Sequence, residues 1–252
     1  MPGSPWLPPS YQPAVGSSAP PVHVMLEGIG VLEGADVAWT PSYRVIASEY
    51  AGENLFDRFA TAQDAEDFRV IADLSSPRAL HEMGHIELVA PEDRIYGAGT
   101  ALVMAAFAWP GGPSRFSDGT RGTYYAATSE HTAITETVYH DARMLAGAGP
   151  VIVEKALIEA EIVGSLVDVR SGRPAPSALD HASDCTAGQA FGALIRRFGG
   201  DGILYDSVRH RAPSGQSLGE CAAVFRPPVL RHAQLSRTIE YHWDGRQISN
   251  IR

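Results

Sequence analysis

Residues Ser114–Ala127 read SRFSDGTRGTYYAA and carry the densest set of chemically informative side chains in this chain. A loop rich in glycine and proline precedes this stretch, and its second half, Gly122–Ala127, predicts a short strand. Ser129 then provides a good N-cap, which predicts a helix that runs to about Leu145. The stretch therefore places arginine and tyrosine side chains on a loop and a strand directly before a helix.

Helical and strand patterns alternate in the flanking sequence without a regular strand–helix–strand repeat. The expected helices are Asp64–Leu74, Thr100–Trp109 and Thr186–Phe198, and the expected strands are Ser42–Ala47, Val151–Val169 (as one strand or two), Gly202–Ser207 and Cys221–Phe225. Near the C-terminus, Ile239–Trp243 and Arg246–Ile251 flank Asp244-Gly245, which predicts a hairpin with a type I′ turn. This pattern favours a mixed α+β domain over a doubly wound sheet.

The composition is that of an ordinary globular protein. The 252 residues include 20 basic and 29 acidic side chains, a net charge of −9, and 44% hydrophobic residues. Such a chain can bury a large core, so disorder of the whole chain is excluded. Because no basic block interrupts the acidic total, we also expect no direct binding of nucleic acid.

The N-terminal segment and the cysteines bear on domain organisation and location. Residues 1–22 contain seven of the 18 prolines, so we expect a flexible arm followed by a single domain over residues 23–252. Cys185 and Cys221 are too few for a disulfide framework and lack the spacing of a zinc knuckle, which favours a reducing cytoplasm. The sequence has neither a secretory signal pattern nor an apolar stretch of bilayer length, so we expect no membrane association.

The segment His81-Glu82-Met83-Gly84-His85 matches the spacing of a zinc hydrolase motif. On a helix, this spacing places two imidazoles on one face for zinc and the glutamate as a general base. The context is poor, because Gly84 weakens the helix and Pro91 ends it after barely two turns. We expect no metal and keep a zinc hydrolase using His81, Glu82 and His85 as an alternative, together with a non-catalytic binding partner.

Five further features of the sequence follow one another along the chain. They are Tyr43-Arg44-Val45, Ser114-Arg115-Phe116-Ser117, Thr123–Ala127, Glu136 and Gly200–Arg209. Their order and spacing, from about residue 40 to residue 230, resemble the RES-domain family, which is named for an arginine, a glutamate and a serine. The combination is far more specific than any one of its elements.

The resemblance implies a fold, an activity and partners. The implied fold is similar to that of ADP-ribosyltransferases of the diphtheria-toxin type, with strongly bent sheets and flanking helices. The implied activity consumes NAD, as an NAD phosphorylase or glycohydrolase or, alternatively, as an ADP-ribosyltransferase that modifies a protein. Many members are toxins paired with an Xre-like helix-turn-helix antitoxin, so NAD, phosphate and such an antitoxin are the expected partners. Formation of a homo-oligomer stays open.

The family's functional positions fall on Arg44, Arg115, Tyr125, Glu136 and Ser207 of this chain. Where the family often has Arg-Trp-Asn, this chain has Arg115-Phe116-Ser117. Either Tyr124 or Tyr125 can be the ring that faces the site. Arg209 follows Ser207 by two residues and, if the strand continues, lies on the same face, where it is expected to assist in phosphate binding.

Release of nicotinamide from ribose generates an oxocarbenium-like centre, so the site must stabilise a transient cation and hold a pyrophosphate. Arg44 and Arg115 can form bidentate bonds to phosphate oxygens, and Glu136 can accept bonds from the ribose hydroxyls. Tyr125 is expected to stack on the nicotinamide ring, and Ser207 to hydrogen-bond to the nicotinamide end or to a phosphate acceptor. We therefore predict an NAD-consuming enzyme that passes ADP-ribose to phosphate or water.

Overall fold

The computed structural model describes residues 24–26, 30–52, 55–59, 61–75, 84–171, 179 and 184–252. The predicted arm, residues 1–22, lies outside the described residues, as do His81 and Glu82 of the zinc motif. The described part of the chain forms nine strands and five α-helices. The strands are β1 (Val24–Leu26), β2 (Gly30–Leu32), β3 (Gly34–Ala47), β4 (Tyr124–Ala127), β5 (Val151–Asp168), β6 (Gly202–Asp206), β7 (Glu220–Val224), β8 (Leu230–Trp243) and β9 (Ile248–Ile251). The helices are α1 (Leu55–Arg58), α2 (Ala62–Ser75), α3 (Thr100–Ala108), α4 (Glu130–Met144) and α5 (Thr186–Arg197).

Seven of the strands form one mixed sheet in the order β3-β4-β7-β6-β5-β8-β9, and β1 and β2 form a separate antiparallel pair. Strand β3 also pairs with β5 along most of its length, so the pairings of β3, β4, β7, β6 and β5 close on themselves. A closed path of this kind requires a strongly bent sheet. Strands β5 and β6 pair in parallel, and the other described pairs are antiparallel. The mixed sheet agrees with the predicted α+β class.

Most of the predicted elements are confirmed, with ends that differ by one or two residues. Val151–Asp168 is one continuous strand rather than two. Strands β3 and β8 are longer than predicted, because each begins well before Ser42 and Ile239, respectively. The pairing of β5 with β3 and with β8 contains register shifts, which mark bulges. A bulge interrupts the two-residue alternation of side chains, and that alternation is the signal by which a strand is recognised in sequence.

The C-terminal hairpin is confirmed, but its predicted type I′ turn is wrong. The last pair of the hairpin is Trp243 with Ile248, so four residues rather than two form the connection. Gly245 has a positive φ of 98°, whereas Asp244 is not among the residues with positive φ, and a type I′ turn needs both. Instead, the Asp244 carboxylate accepts hydrogen bonds from the backbone N–H groups of Arg246 and Gln247, at 2.8 and 2.9 Å.

The two largest of the three apolar cores in the described part of the chain lie on opposite sides of β4. One core contains α3 with Leu102, Met104 and Phe107, together with Tyr124 of β4. The other contains Phe191 and Ile195 of α5, together with Phe116, Tyr205 and Cys221, and Tyr125 packs against it. Consecutive strand residues point to opposite faces, so β4 supplies one tyrosine ring to each core. Among the described residues, no helix has the length and apolar character needed to cross a membrane.

Candidate functional site

Glu136 and Ser207 are joined directly by a hydrogen bond. Glu136 lies near the second turn of α4, whose N-terminus is capped by the Ser129 side chain as predicted. Ser207 follows β6 and is fully buried, and its hydroxyl donates to Glu136 Oε1 at 2.5 Å. The Ser207 hydroxyl oxygen also accepts hydrogen bonds from the backbone N–H groups of Arg209 and His210, at 3.2 and 2.9 Å. These three contacts fix the hydroxyl, which in turn orients the glutamate.

Arg209 stacks on Tyr139, a residue of the same helix as Glu136. The guanidinium carbon of Arg209 is 3.3 Å from the centroid of the Tyr139 ring, three residues beyond Glu136 on α4. Arg143 donates a hydrogen bond to the Tyr139 hydroxyl at 3.2 Å. Loss of hydration lowers the pKa of the neighbouring His140, Glu136 acts to raise that pKa, and Arg209 and Arg143 lower it further. The end of the site near Glu136 thus carries two arginine cations.

Arg115 lies on the sheet face that carries Tyr205. Its guanidinium donates to the carbonyl of Leu179 at 2.6 Å and is 5.0 Å from the centroid of the Tyr205 ring. Burial raises the pKa of Tyr205, the charge of Glu136 raises it further, and Arg115 lowers it. The thiol of Cys221 on the adjacent strand responds in the same way, with its pKa raised by burial and by Glu136 and lowered by Arg115. Arg115 and Glu136 therefore act on the same patch of the sheet.

Tyr125 and α5 hold the loop that carries Arg115. The Tyr125 hydroxyl is 2.8 Å from Ser114 Oγ and accepts from the Phe116 backbone N–H at 3.0 Å. Helix α5 also packs against this loop. A Cβ added at Gly188 would lie 2.3 Å from the Arg115 carbonyl oxygen, and one added at Gly192 would lie 2.2 Å from the Phe116 carbonyl oxygen. The two glycines allow the backbone of the loop to lie directly on the helix.

The departure of this chain from the family's Arg-Trp-Asn sequence has a structural role in the same loop. Phe116 is fully buried and stacks edge-on against Tyr205, with ring centroids 5.0 Å apart. Ser117 Oγ donates to the Arg121 carbonyl at 2.6 Å and accepts from the Gly119 N–H at 3.2 Å. Both residues therefore stabilise the loop.

Arg44 lies on β3 over the ring of Tyr124, with its guanidinium carbon 4.5 Å from the ring centroid. Its Nη1 donates to the Tyr125 carbonyl at 3.4 Å, and its buried Nε has no hydrogen-bond partner among the described residues. Burial lowers the pKa of the Arg44 guanidinium and raises that of Tyr124 to about 12. Tyr124 is thus enclosed in the core beneath Arg44, whereas Tyr125 lines a cavity.

That cavity has a volume of about 1080 Å³ and lies near the N-terminal end of β4. Its charged lining residues are Arg44, Glu49, Arg58 and Arg121, and its apolar wall includes Ile46, Leu102 and Trp109. Arg58 and Arg121 were not anticipated from the sequence. Arg121 lies within the stretch 114–127 but outside the family's motif, and Arg58 lies on the four-residue helix α1, which no sequence pattern indicated.

The structure gathers the six predicted residues into two groups. Ser207 contacts both Glu136 and the backbone of Arg209, and Arg115 and Glu136 both influence the pKa of Tyr205. Arg44 and Tyr125 line the cavity, and its described lining does not include the other four residues. The hydroxyl of Tyr125 connects the groups, because it binds the loop that carries Arg115.

The zinc alternative stays a prediction. Within the described parts of the chain, no group of three or more histidine, cysteine or acidic residues is arranged to hold a metal ion. His81 and Glu82 lie outside those parts, and the exposed His85 contacts Glu87 at 3.1 Å.

A family model described as the RES domain matches residues 91–244. The chain belongs to the RES-domain family. The resemblance inferred from the sequence is thereby confirmed, and five of the predicted residues lie within the match, while Arg44 precedes it. Comparison with curated proteins found no match. Among solved structures, a chain of the M. tuberculosis MbcT–MbcA toxin–antitoxin complex aligns with 82% of this chain and 86% of its own length, at 12% identity and a TM-score of 0.39.

Proposed function

We propose that this RES-domain protein cleaves the bond between nicotinamide and ribose in NAD and passes ADP-ribose to phosphate or water, on a fold of the ADP-ribosyltransferase type. The observation that carries the proposal is the 2.5 Å hydrogen bond from Ser207 to Glu136. The Arg209 guanidinium stacks on Tyr139, three residues beyond Glu136 on α4. A fixed carboxylate and a fixed cation on one helix face suit a reaction in which a cationic sugar centre meets an anionic acceptor.

In the proposed reaction, nicotinamide leaves with the electron pair of the glycosidic bond, so its ring nitrogen becomes neutral. Positive charge then spreads over the anomeric carbon and the ring oxygen of ribose. The Glu136 carboxylate stabilises this charge more strongly than it stabilises bound NAD, which lowers the barrier. An oxygen of phosphate forms the new bond to the anomeric carbon; when water attacks instead, its proton is released to solvent.

The remaining residues orient the groups that react. Ser207 donates to Oε1 of Glu136 and thereby holds the carboxylate in one orientation. Arg209 attracts a phosphate acceptor by a charge-assisted bond, and Arg115 supplies a second cation on the same sheet face. Tyr125 is one of the residues that line the cavity, and its hydroxyl secures the Arg115 loop, which is compatible with its predicted contact with nicotinamide.

The test is to incubate the purified protein with NAD, with and without phosphate, and to measure nicotinamide release. We expect release, faster with phosphate, and ADP-ribose or its phosphate ester as the second product. The variant Glu136→Gln keeps an oxygen that can accept from Ser207, so it should fold normally yet lose about 10²-fold in turnover. Arg246→Gln, in the exposed hairpin turn, is the control. No release by the wild type overturns the proposal, and label from NAD found on a protein would favour the transferase alternative.

We also propose that the protein is the toxin of a toxin–antitoxin pair and that its partner is an Xre-like helix-turn-helix antitoxin. Membership of the RES family supports this, since a cell must restrain an enzyme that consumes its NAD. Expression of the protein alone in a bacterial host should deplete NAD and stop growth, whereas Glu136→Gln should do neither. Co-expression of a helix-turn-helix protein encoded beside it should restore growth. Equal growth arrest by wild type and Glu136→Gln would contradict a catalytic toxin.

A further inference from the structure

The cavity that Arg44 lines is positively charged, and Glu136 is not among its described lining residues. Three arginines line it from three separate elements: Arg44 on β3, Arg58 on α1 and Arg121 on the loop before β4. Glu49 is the one carboxylate among the described lining residues, so the lining carries a net charge of +2. The diphosphate of a dinucleotide has two ionised oxygens and would balance this charge.

Arg44 supplies an independent indication of a ligand. Its Nε is buried and has no hydrogen-bond partner among the described residues, and its Nη1 makes only a long contact of 3.4 Å with a backbone carbonyl. The Tyr124 ring beneath it holds the guanidinium in one plane. A buried donor without an acceptor is costly, so the geometry favours an anionic oxygen as the missing acceptor.

Part of the cavity lining is apolar and aromatic. Trp109 lies there with Ile46 and Leu102, and its ring is held edge-on by Phe56, with ring centroids 6.3 Å apart and planes at 89°. A supported indole ring offers a face on which a nucleobase can stack. The volume of about 1080 Å³ is sufficient for a nucleotide and is at the upper end of ordinary ligand sites.

We propose that this cavity binds the adenosine diphosphate half of a dinucleotide, with the diphosphate between Arg44, Arg58 and Arg121 and the adenine against Trp109. The choice of NAD as the dinucleotide rests on the function proposed above. Arg58 and Arg121 then become binding residues in addition to the six predicted from the sequence. Arginine suits this role because its planar guanidinium group can bind two phosphate oxygens at once.

The experiment is calorimetric titration of the full-length protein with ADP, AMP and adenosine, accompanied by tryptophan fluorescence. We expect ADP to bind more tightly than AMP, AMP more tightly than adenosine, and fluorescence to change on binding. Arg58→Gln and Arg121→Gln should each weaken ADP binding about tenfold, because each removes one charge-assisted contact. Trp109→Phe should remove most of the fluorescence change. Arg246→Gln removes the same charge from an exposed turn and should bind ADP as the wild type does.

Two comparisons separate this inference from the proposed function. If Arg58→Gln and Arg121→Gln weaken ADP binding while wild type releases no nicotinamide from NAD, the nucleotide site stands and the proposed cleavage fails. If wild type releases nicotinamide and both variants keep its KM for NAD and its affinity for ADP, the cleavage stands and this inference is overturned. Absence of ADP binding to the wild type overturns it as well. Thermal melting of each variant establishes that the fold is retained.

Discussion

Ser207 combines three contacts in one buried hydroxyl, since it donates to Glu136 and accepts from two backbone N–H groups in the turn that carries Arg209. A serine is suited to this position because its hydroxyl can donate and accept at the same time. The side chain thus couples the orientation of the glutamate to the conformation of the turn. Its proposed role is to position Glu136 rather than to contact NAD.

Removal of this hydroxyl tests that role. Ser207→Ala should lower NAD turnover by about 10²-fold, because the Glu136 carboxylate loses its fixed donor. In a Glu136→Gln background the same substitution should have little further effect, since the two residues act as a unit. Nicotinamide release by the four proteins of this cycle is the measurement.

Ser217→Ala is the matched control for this cycle. Ser217 donates to the Ser207 carbonyl at 3.0 Å and supports the same turn without a hydrogen bond to Glu136. Multiplicative losses in the double variant, or an equal loss in Ser217→Ala, would show that Ser207 acts through the turn alone.

Helix α5 acts as a platform for the loop of residues 114–117. Gly188 and Gly192 are four residues apart on α5, so both face the loop. An added Cβ at Gly192 would lie 2.2 Å from the Phe116 carbonyl oxygen, far inside normal contact distance. Because the obstacle is backbone, either the helix or the loop must move, and Arg115 moves with the loop.

Gly192→Ala should therefore impair function more than stability. Alanine favours the helix by about 1 kcal/mol over glycine, which offsets part of the overpacking cost of about 1–3 kcal/mol. The displaced loop, however, should lower NAD turnover by up to about 10²-fold, as small misplacements of a reacting group do. Urea denaturation and nicotinamide release measure the two effects. Gly149→Ala, where no atom lies within 4 Å of the added Cβ, is the control and should leave both unchanged.

A buried ion pair ties α4 to the sheet. Lys155 of β5 contacts Asp141 of α4 at 2.6 Å, and the two side chains are only 9% and 11% exposed. Lys155 is the only lysine of the chain. Because α4 also carries Glu136, this pair helps to position the helix on which the proposed chemistry depends.

Lys155→Met should lower the free energy of unfolding by about 3–5 kcal/mol, because it leaves the Asp141 carboxylate buried without its cation. The double variant Lys155→Met/Asp141→Asn removes both charges and should recover most of that loss. Urea unfolding at neutral pH measures all four proteins of the cycle. If Lys155→Met unfolds at the same urea concentration as the wild type, the pair contributes nothing.

At the scale of the whole molecule, the sequence predicts elements better than it predicts their assembly. The helix that begins after Ser129 and the strand Val151–Asp168 follow from local signals, namely a capping side chain and β-branched residues. The convergence of Arg58 and Arg121 on Arg44 does not, since it depends on how α1 and a distant loop pack beside β3. The first half of β8 was missed because bulges in its pairing with β5 disturb the alternation of side chains.

The dependence of stability on pH is also a property of the whole molecule. Loss of hydration lowers the pKa values of both His140 and His210 in the folded protein. In the unfolded chain, an imidazole takes up its proton near pH 6.5. Below this value, the unfolded chain binds more protons than the folded protein, so the free energy of unfolding decreases as the pH falls. Burial raises the pKa of Asp201 in the folded protein. At acidic pH, where carboxyl groups titrate, Asp201 therefore makes the free energy of unfolding increase as the pH falls.

The free energy of unfolding should therefore be constant between about pH 8 and 7.5 and should fall as the pH decreases from about 7 to 5.5. His140→Gln and His210→Gln should each reduce this slope, and the double variant should reduce it further, because glutamine does not titrate. Urea unfolding at half-unit steps of pH gives the slopes. The pH 8 values serve as the reference, since both imidazoles are neutral there in the folded and the unfolded states. A wild-type stability that stays constant or rises towards pH 5.5, or a double variant with the wild-type slope, would show that these histidines do not control the response.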